Sequence, residues 1–349
     1  MTFWLWFGFI VFVLTMLALD LGVFHRHAHV VSVREALSWC GVCAALSLVF
    51  TVVLYFMYEN HWLGMGLKEG HTEDGWKAAI DYLTGYIIEM SLSLDNIFVI
   101  AVIFGYFCVP ELYQHRVLFW GILGALIMRG VMIAAGAALI TRFEWIIYVF
   151  GGLLILTAVK MLITNNEDIH PDRNPLVRLA RRFYPVTPNY EGEHFFSRID
   201  GRRAVTPLFL VLLVVESTDV LFAVDSIPAI FAITRDPFIV FTSNVFAILC
   251  LRSMYFALAG MISKFRYLKV SLVFVLAYVG VKMLLSHHVH IPTLVSLSVI
   301  VGMLAVGILA SIFRSGPPEP PPVCHPISEL SSPPESHRVE KPTGVADRR

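Results

Sequence analysis

Long apolar stretches alternate with short polar connections along this chain. Nine of the stretches run for about 20 residues or more, which is long enough to cross a hydrocarbon core of about 30 Å as an α-helix. A backbone surrounded by lipid must satisfy its own hydrogen bonds, and the two-residue alternation of a membrane β-barrel is absent. The predicted spans are residues 3–23, 38–58, 79–107, 117–140, 144–164, 207–233, 237–260, 267–286 and 293–313. This pattern predicts an all-α, polytopic membrane protein with about nine transmembrane helices.

Composition and charge also indicate a chain that is surrounded mainly by lipid. Hydrophobic residues make up 57% of the 349 residues and charged residues 15%, and the mean hydropathy is +0.72. These values are unlike those of an average soluble domain. We expect lipid as the main surrounding partner and no nucleic-acid partner.

The basic residues predict an orientation, because Lys and Arg near span ends are retained in the cytoplasm. With the N-terminus outside, the inner segments hold eighteen Lys and Arg, seven of them Arg between residues 173 and 203, whereas the outer loops hold four. We therefore expect a multi-pass protein of the bacterial inner membrane with its N-terminus outside and its C-terminus in the cytoplasm.

An internal repeat relates spans three to five to spans six to eight. Its anchors in the first copy are Asp95, Arg129, ITRF ending at Phe143 and KML beginning at Lys160, which match Asp219, Arg252, ISKF ending at Phe265 and KML beginning at Lys282. Each copy has an odd number of spans, so the second copy inserts upside down. An inverted repeat of three plus three helices is typical of secondary transporters, whose substrate sites lie at the repeat interface.

The repeat predicts six regions. They are a two-helix region at 1–78, the first repeat at 79–164, a cytoplasmic linker at 165–206, the second repeat at 207–286, a ninth helix at 287–314 and a disordered tail at 315–349. The tail is predicted from its proline-rich runs PPEPPP and SSPPES. Its protein partners are unknown.

Acidic residues inside the spans are the candidate site. The third span carries Glu89, Asp95 and Asn96, and the sixth carries Glu216, Asp219, Asp225 and Ser226. A single carboxylate at bilayer depth costs about 2.5 to 3.5 kcal/mol, so five of them indicate a function or compensating partners. Possible charge partners within the spans are Arg129, Lys160, Arg252 and Lys282.

Helix geometry leaves two alternatives for these acids. Residues six apart, such as Glu89 and Asp95, are separated by about 240° of rotation and about 9 Å of rise on a straight helix. Either the acids face different neighbours or the helices are interrupted near SLSLDN and AVDSIP, where Pro228 favours disruption.

The candidate ligands are all oxygen atoms, which suit Mg²⁺, Ca²⁺ or Mn²⁺ better than copper or zinc. The ion would be cargo, and we expect no permanently bound cofactor. Cys40 and Cys43 form a CxxC inside the second span, where we interpret them as small apolar packing residues.

The strings LSLDN in the third span and ESTDVLFAVDSIPAIFAIT in the sixth resemble the signatures of the TerC/Alx family. ALDLGVFHR, VSVREAL and the two KML strings extend the resemblance over roughly residues 15–313. The resemblance implies an integral membrane protein linked to tellurite-resistance operons and manganese homeostasis, with Mn²⁺ export as the activity of Alx-like members. It also implies that the ion is bound by the residues Asp95, Asn96, Glu216, Asp219, Asp225 and Ser226, together with Glu89.

Together these features predict a divalent-cation transporter, with Mn²⁺ exported in exchange for protons. A non-transporting membrane partner or scaffold in the response to metal or tellurite stress is the alternative, because the charges could simply hold the helices together. An intramembrane aspartyl protease is a remote alternative, since no GxGD, HExxH or GxSxG string occurs. We therefore expect no enzymatic activity.

Overall fold

A computed structural model describes residues 2–19, 32–68, 71–72, 74–163, 174–199, 201–258, 266–286 and 291–313. Ten α-helices dominate these residues, with a short 3₁₀ helix at Trp62–Gly64 and two small hairpins. The helices are α1 Thr2–Leu19, α2 Val33–Glu59, α3 Gly75–Tyr106, α4 Glu111–Arg142, α5 Ile146–Ile163, α6 Pro175–Phe183, α7 Pro207–Phe231, α8 Pro237–Leu258, α9 Arg266–Leu285 and α10 Thr293–Phe313. The strands are β1 Leu67–Lys68 and β2 His71–Thr72, then β3 Phe196–Ile199 and β4 Arg202–Val205, paired antiparallel in each hairpin.

The prediction of an all-α, polytopic membrane protein is confirmed. Within the described residues, seven helices are long and apolar enough to cross a membrane, and two shorter apolar segments lie at Trp4–Ala18 and Val270–Leu285. Each of the nine predicted spans therefore corresponds to one helix. The predicted tail at 315–349 lies outside the described residues, and the division into six regions stays a prediction.

Polar caps and prolines set where the helices begin. The Ser32 hydroxyl accepts a hydrogen bond from the Glu35 amide at the start of α2, at 3.3 Å, and the Asp74 carboxylate accepts one from the Trp76 amide at the start of α3, at 3.4 Å. Proline is the first residue of α6, α7 and α8, a position whose missing N–H needs no partner.

The helices of the two repeats pack in a symmetric pattern. Helix α3 packs on α8, α4 packs on α7, and α5 packs on α9. Exchanging α3, α4 and α5 for α7, α8 and α9 converts the first two pairings into each other and leaves the third unchanged. An approximate two-fold axis between the repeats would produce this pattern. Helices α1 and α2 pack outside it, against α3 and α8.

The described part of the predicted linker, residues 174–199 and 201–206, contains α6 and the β3–β4 hairpin. It contacts the end of α3 and the start of α4. The Tyr190 hydroxyl donates to the Phe107 carbonyl at 2.7 Å, and burial raises the pKa of Tyr190. Arg116 at the start of α4 pairs with Glu193 at 3.2 Å and lies 5.4 Å from the centre of the Phe195 ring.

Helices α3 and α7 are continuous, which decides between the two alternatives: the chain is not interrupted near SLSLDN and AVDSIP. Pro228 lies inside α7, within its last turn. Proline lacks one amide donor and crowds the preceding turn, but α7 continues for only three residues beyond Pro228, so the loss is confined to the end of the helix. The acids must therefore face different neighbours.

Candidate functional site

Arg129 of α4 lies at the centre of the interface between the repeats, with only 1% of its surface exposed. Its Nη1 atom forms an ion pair with Glu89 of α3. Its Nη2 and Nε atoms donate to the two carboxylate oxygens of Asp219 of α7, at 2.9 and 3.2 Å. Nη1 also lies 3.4 Å from the Ser226 hydroxyl. One guanidinium thus joins the third, fourth and seventh helices.

Charge-assisted hydrogen bonds hold this arrangement together. The two parallel bonds to Asp219 have the fork geometry that makes arginine–carboxylate pairs strong. Glu89 is fully buried, at 0% exposure, so removing Arg129 would leave an uncompensated charge in a low-dielectric interior. With both acids ionised, two carboxylates share one guanidinium. The group would then hold one excess negative charge, which favours a further cation.

Glu216 of α7 lies one helical turn before Asp219 and differs from it in its surroundings. Its half-buried carboxylate makes no hydrogen bond or ion pair with the described residues. The charged group that acts on it electrostatically is Asp219. The carboxylate lies against Gly124 of α4, where an added Cβ atom would overlap both of its oxygens. Glycine at 124 therefore leaves the room that the Glu216 carboxylate occupies.

A small cavity of about 30 Å³ lies beside these acids, between α3, α4, α7 and α8. Its polar lining consists of Asn96, Thr218 and Asp219, and the rest of its wall is mostly aliphatic. Asn96 is 3% exposed, and its side-chain oxygen has no hydrogen-bond partner among the described residues. An unpaired amide oxygen facing a carboxylate is a suitable second ligand for a hard cation or a water molecule.

Asp225 faces away from Arg129. It accepts a hydrogen bond of 2.8 Å from Thr157 of α5, and Lys160, one turn further along α5, acts on it electrostatically. Successive residues on a helix point about 100° apart. Ser226 can therefore lie near Arg129 while Asp225 faces α5.

The remaining candidates are Asp95 of α3, Arg252 of α8 and Lys282 of α9. The sequence repeat equates Arg252 and Asp95 with Arg129 and Asp219, and Arg252 is buried on α8. Lys282 of α9 interacts electrostatically with Asp81 of α3. Asp81 is buried and was not among the predicted candidates, although it lies inside the predicted third span.

The predicted ligands do not form a single cluster in this conformation. Glu89, Asp219 and Ser226 surround Arg129, whereas Glu216 and Asn96 lie beside this group and Asp225 faces a different helix. Among the residues that the structure describes, no three His, Cys, Asp or Glu side chains converge in a way that would hold a metal ion. Arg129 is the cation between Glu89 and Asp219 in this state.

Three residues that shape the site were not identified from the sequence, namely Gly124, Thr157 and Thr218. A glycine or threonine in an apolar helix is common, and nothing in its own sequence context says which side chain it will meet. The repeat could have drawn attention to α4, because Arg129 is one of its anchors, but not to the position five residues earlier.

Comparison with known proteins identifies the family. Residues 74–317 match the model of the integral membrane protein TerC family. An uncharacterized membrane protein of Myxococcus xanthus is 54% identical over 311 residues, covering 89% of this chain and 92% of that protein. A putative membrane-bound redox modulator, Alx, of Escherichia coli K12 is 46% identical over 303 residues, which cover 86% of this chain and 92% of that protein. No solved structure matches.

The family match includes every predicted ion ligand and every predicted charge partner, from Glu89 to Lys282. It also includes the resemblance noted in LSLDN and ESTDVLFAVDSIP, which is thereby confirmed. This chain belongs to the TerC family of integral membrane proteins.

Proposed function

We propose that this protein exports a divalent cation, Mn²⁺ in the first instance, through the interface between its two repeats. The observation that carries the proposal is Glu216. It is a half-buried carboxylate that makes no hydrogen bond or ion pair with the described residues, next to an aspartate that is already held by arginine. A carboxylate that serves no structural bond within a bundle has a functional explanation.

In this proposal Arg129 takes the place of the transported ion when none is bound. Glu216, Asp219 and the Asn96 amide oxygen supply hard oxygen ligands of the kind that Mn²⁺, Mg²⁺ and Ca²⁺ prefer. A metal ion entering beside Asp219 would compete with the guanidinium for that carboxylate. Asp219 would then alternate between Arg129 and the metal, while Glu89 keeps Arg129 inside the bundle.

Export requires an energy source. Moving a doubly charged ion outward against an inside-negative potential costs about 4.6 kcal/mol per 100 mV, twice the cost for a single charge. Carboxylates can bind either a metal ion or protons, so exposing them alternately to the two sides would couple metal exit to proton entry. The symmetric packing of the repeats suits such a rocking motion. We place the protein in the bacterial inner membrane, with its N-terminus outside and its C-terminus inside.

Cells that depend on this protein for manganese tolerance provide the test. Glu216→Gln keeps the size of the side chain and removes its charge, so it should raise cellular manganese and lower tolerance at unchanged membrane abundance. Glu193→Gln removes a linker carboxylate that pairs with Arg116 on the protein surface, and it is the matched control. Equal tolerance and metal content in the two variants would contradict the proposal.

The non-transporting partner is the second candidate, and the Arg129 network favours it. If the charges serve only to hold helices together, Glu89 and Asp219 should matter for abundance and Glu216 should be dispensable. The same Glu216→Gln variant therefore separates the two functions.

A further inference from the structure

Three cysteines on two packed helices lie in one apolar cluster, in the half of the bundle that carries the linker. Cys40 and Cys43 lie three residues apart on α2, so they share one face of that helix. Cys250 of α8 is fully buried, α2 packs against α8, and Cys40 and Cys43 pack against the apolar cluster that contains Cys250, so that the side chain of Cys250 interacts with both. The CxxC was expected to serve packing alone, and nothing in the sequence linked it to a residue two hundred positions away.

The surroundings of this thiol cluster are mostly apolar. The cysteines pack against the apolar core formed by α3, α4, α7 and α8. The Tyr86 hydroxyl of α3 acts on all three thiols electrostatically, and it has no hydrogen-bond partner among the described residues.

The cluster can be reached from the lipid. Cys40 and Cys43 are partly exposed, and α2 is an outer helix of the bundle, with many apolar side chains facing outward. Cysteines on two helices that pack side by side need a modest approach to reach the S–S bond length of about 2.05 Å. An oxidant dissolved in the bilayer would meet the α2 thiols first.

We propose that this cluster is an oxidation site, in which a lipid-soluble hydroperoxide converts Cys250 and one α2 thiol into a disulfide that joins α2 to α8. One thiol loses its proton, and its sulfur attacks the peroxide. The O–O bond breaks, an S–O bond forms, and the products are a sulfenic acid and an alcohol. The second thiol then attacks that sulfur, forming the S–S bond and releasing water. Two thiols and one hydroperoxide thus give a disulfide, an alcohol and water.

Reduction by an external dithiol reverses the step through a mixed disulfide. Helix α8 belongs to the second repeat, and α2 lies outside both repeats. The disulfide therefore ties the periphery of the bundle to one repeat. This inference does not depend on which ion, if any, the protein transports.

The experiment uses the full chain in native membrane vesicles, with Cys108→Ser and Cys324→Ser so that the thiol cluster holds the only cysteines. Vesicles are treated with cumene hydroperoxide and denatured, and free thiols are counted by the gel shift of a maleimide–polyethylene glycol. We expect three adducts before oxidation, one after it, and three again after dithiothreitol.

Two variants test the identity of the pair. With Cys250→Ser, two adducts should persist through oxidation, because the α2 thiols lose their shared partner. With Cys40→Ser and Cys43→Ser together, the single remaining adduct should persist.

Three results would overturn the inference. The first is three adducts after a treatment that oxidises a reference dithiol protein in the same vesicles. The second is loss of both adducts in Cys250→Ser, which would place the disulfide within α2. The third is loss of adducts only together with a dimer band on a non-reducing gel.

Discussion

At the residue scale, the charged side chains inside the bundle have unequal roles. The sequence alone predicted which acids lie in apolar helices, because a carboxylate in such a stretch is visible in any linear pattern. It could not predict that Glu89 and Asp219 share Arg129 while Glu216 makes no such bond. Those relations depend on how three helices are rotated against one another.

Gly124→Ala tests the space around Glu216. An added methyl group would overlap the Glu216 carboxylate, so the side chain must leave its present position. We expect manganese tolerance to fall while membrane abundance stays near that of the wild type, because the carboxylate can turn toward the cavity. The matched control is Gly152→Ala on α5, where nothing lies within 4 Å of the new atom. Indistinguishable tolerance in the two variants would contradict the assigned role of Gly124.

Arg129→Gln tests the ion-paired centre. It would leave Glu89 and Asp219 without their cation, and breaking a buried pair costs about 3 to 5 kcal/mol. We expect reduced membrane abundance and a lower midpoint of thermal unfolding in detergent. Arg129→Gln combined with Glu89→Gln should recover part of the loss, since the most deeply buried charge is then removed as well.

Arg142→Gln, at the exposed end of α4, is the control for the loss of a positive charge from the same helix. If Arg129→Gln unfolds at the same temperature as this control, the ion pairs do not stabilise the bundle.

At the element scale, hydropathy located the helices to within a few residues but underestimated those that extend beyond the apolar stretch. Helix α4 was predicted at 117–140 and runs from Glu111 to Arg142, because the polar residues before 117 continue the helix into the region packed by the linker. The linker helix α6 was missed, since nine residues that include three arginines carry no apolar period long enough to recognise.

The α5–α9 crossing depends on close backbone approach. A Cβ atom at Gly280 would lie 3.0 Å from the Gly151 carbonyl oxygen and 2.9 Å from Ile155, and small residues at such crossings let membrane helices pack tightly. Gly280→Ala should therefore destabilise the protein by about 1 to 3 kcal/mol, the range for overpacking, which thermal unfolding in detergent would measure. Gly302→Ala on α10 meets nothing within 4 Å and should be neutral. Equal unfolding midpoints for Gly280→Ala and Gly302→Ala would mean that the α5–α9 crossing accommodates a larger side chain without loss of stability.

At the scale of the whole molecule, the repeat was predictable because its anchors keep their order and nearly constant spacing. The pairing of α3 with α8 and of α4 with α7 was not, because sequence symmetry does not say which faces of the copies meet. The site lies where these helix pairs meet. Which residues belong to it therefore depends on how the helices pack.

The orientation can be tested by labelling single cysteines in a variant whose own five cysteines are replaced by serine. Because the basic residues predict an outer α4–α5 loop and an inner linker, Glu144→Cys should react with a membrane-impermeant maleimide in intact spheroplasts. Glu193→Cys, in the linker, should react only after permeabilisation. The reverse pattern would invert the proposed direction of transport.

Metal flux in vesicles reconstituted with the purified protein is the most direct test of the central claim, which is that the Glu216 carboxylate, unpaired among the described residues, serves a transported cation. We predict Mn²⁺ movement that is driven by a proton gradient, is lost in Glu216→Gln and is retained in Glu193→Gln. Correctly inserted protein that moves no Mn²⁺ under any proton gradient, or a Glu216→Gln variant that transports as well as the wild type, would contradict it.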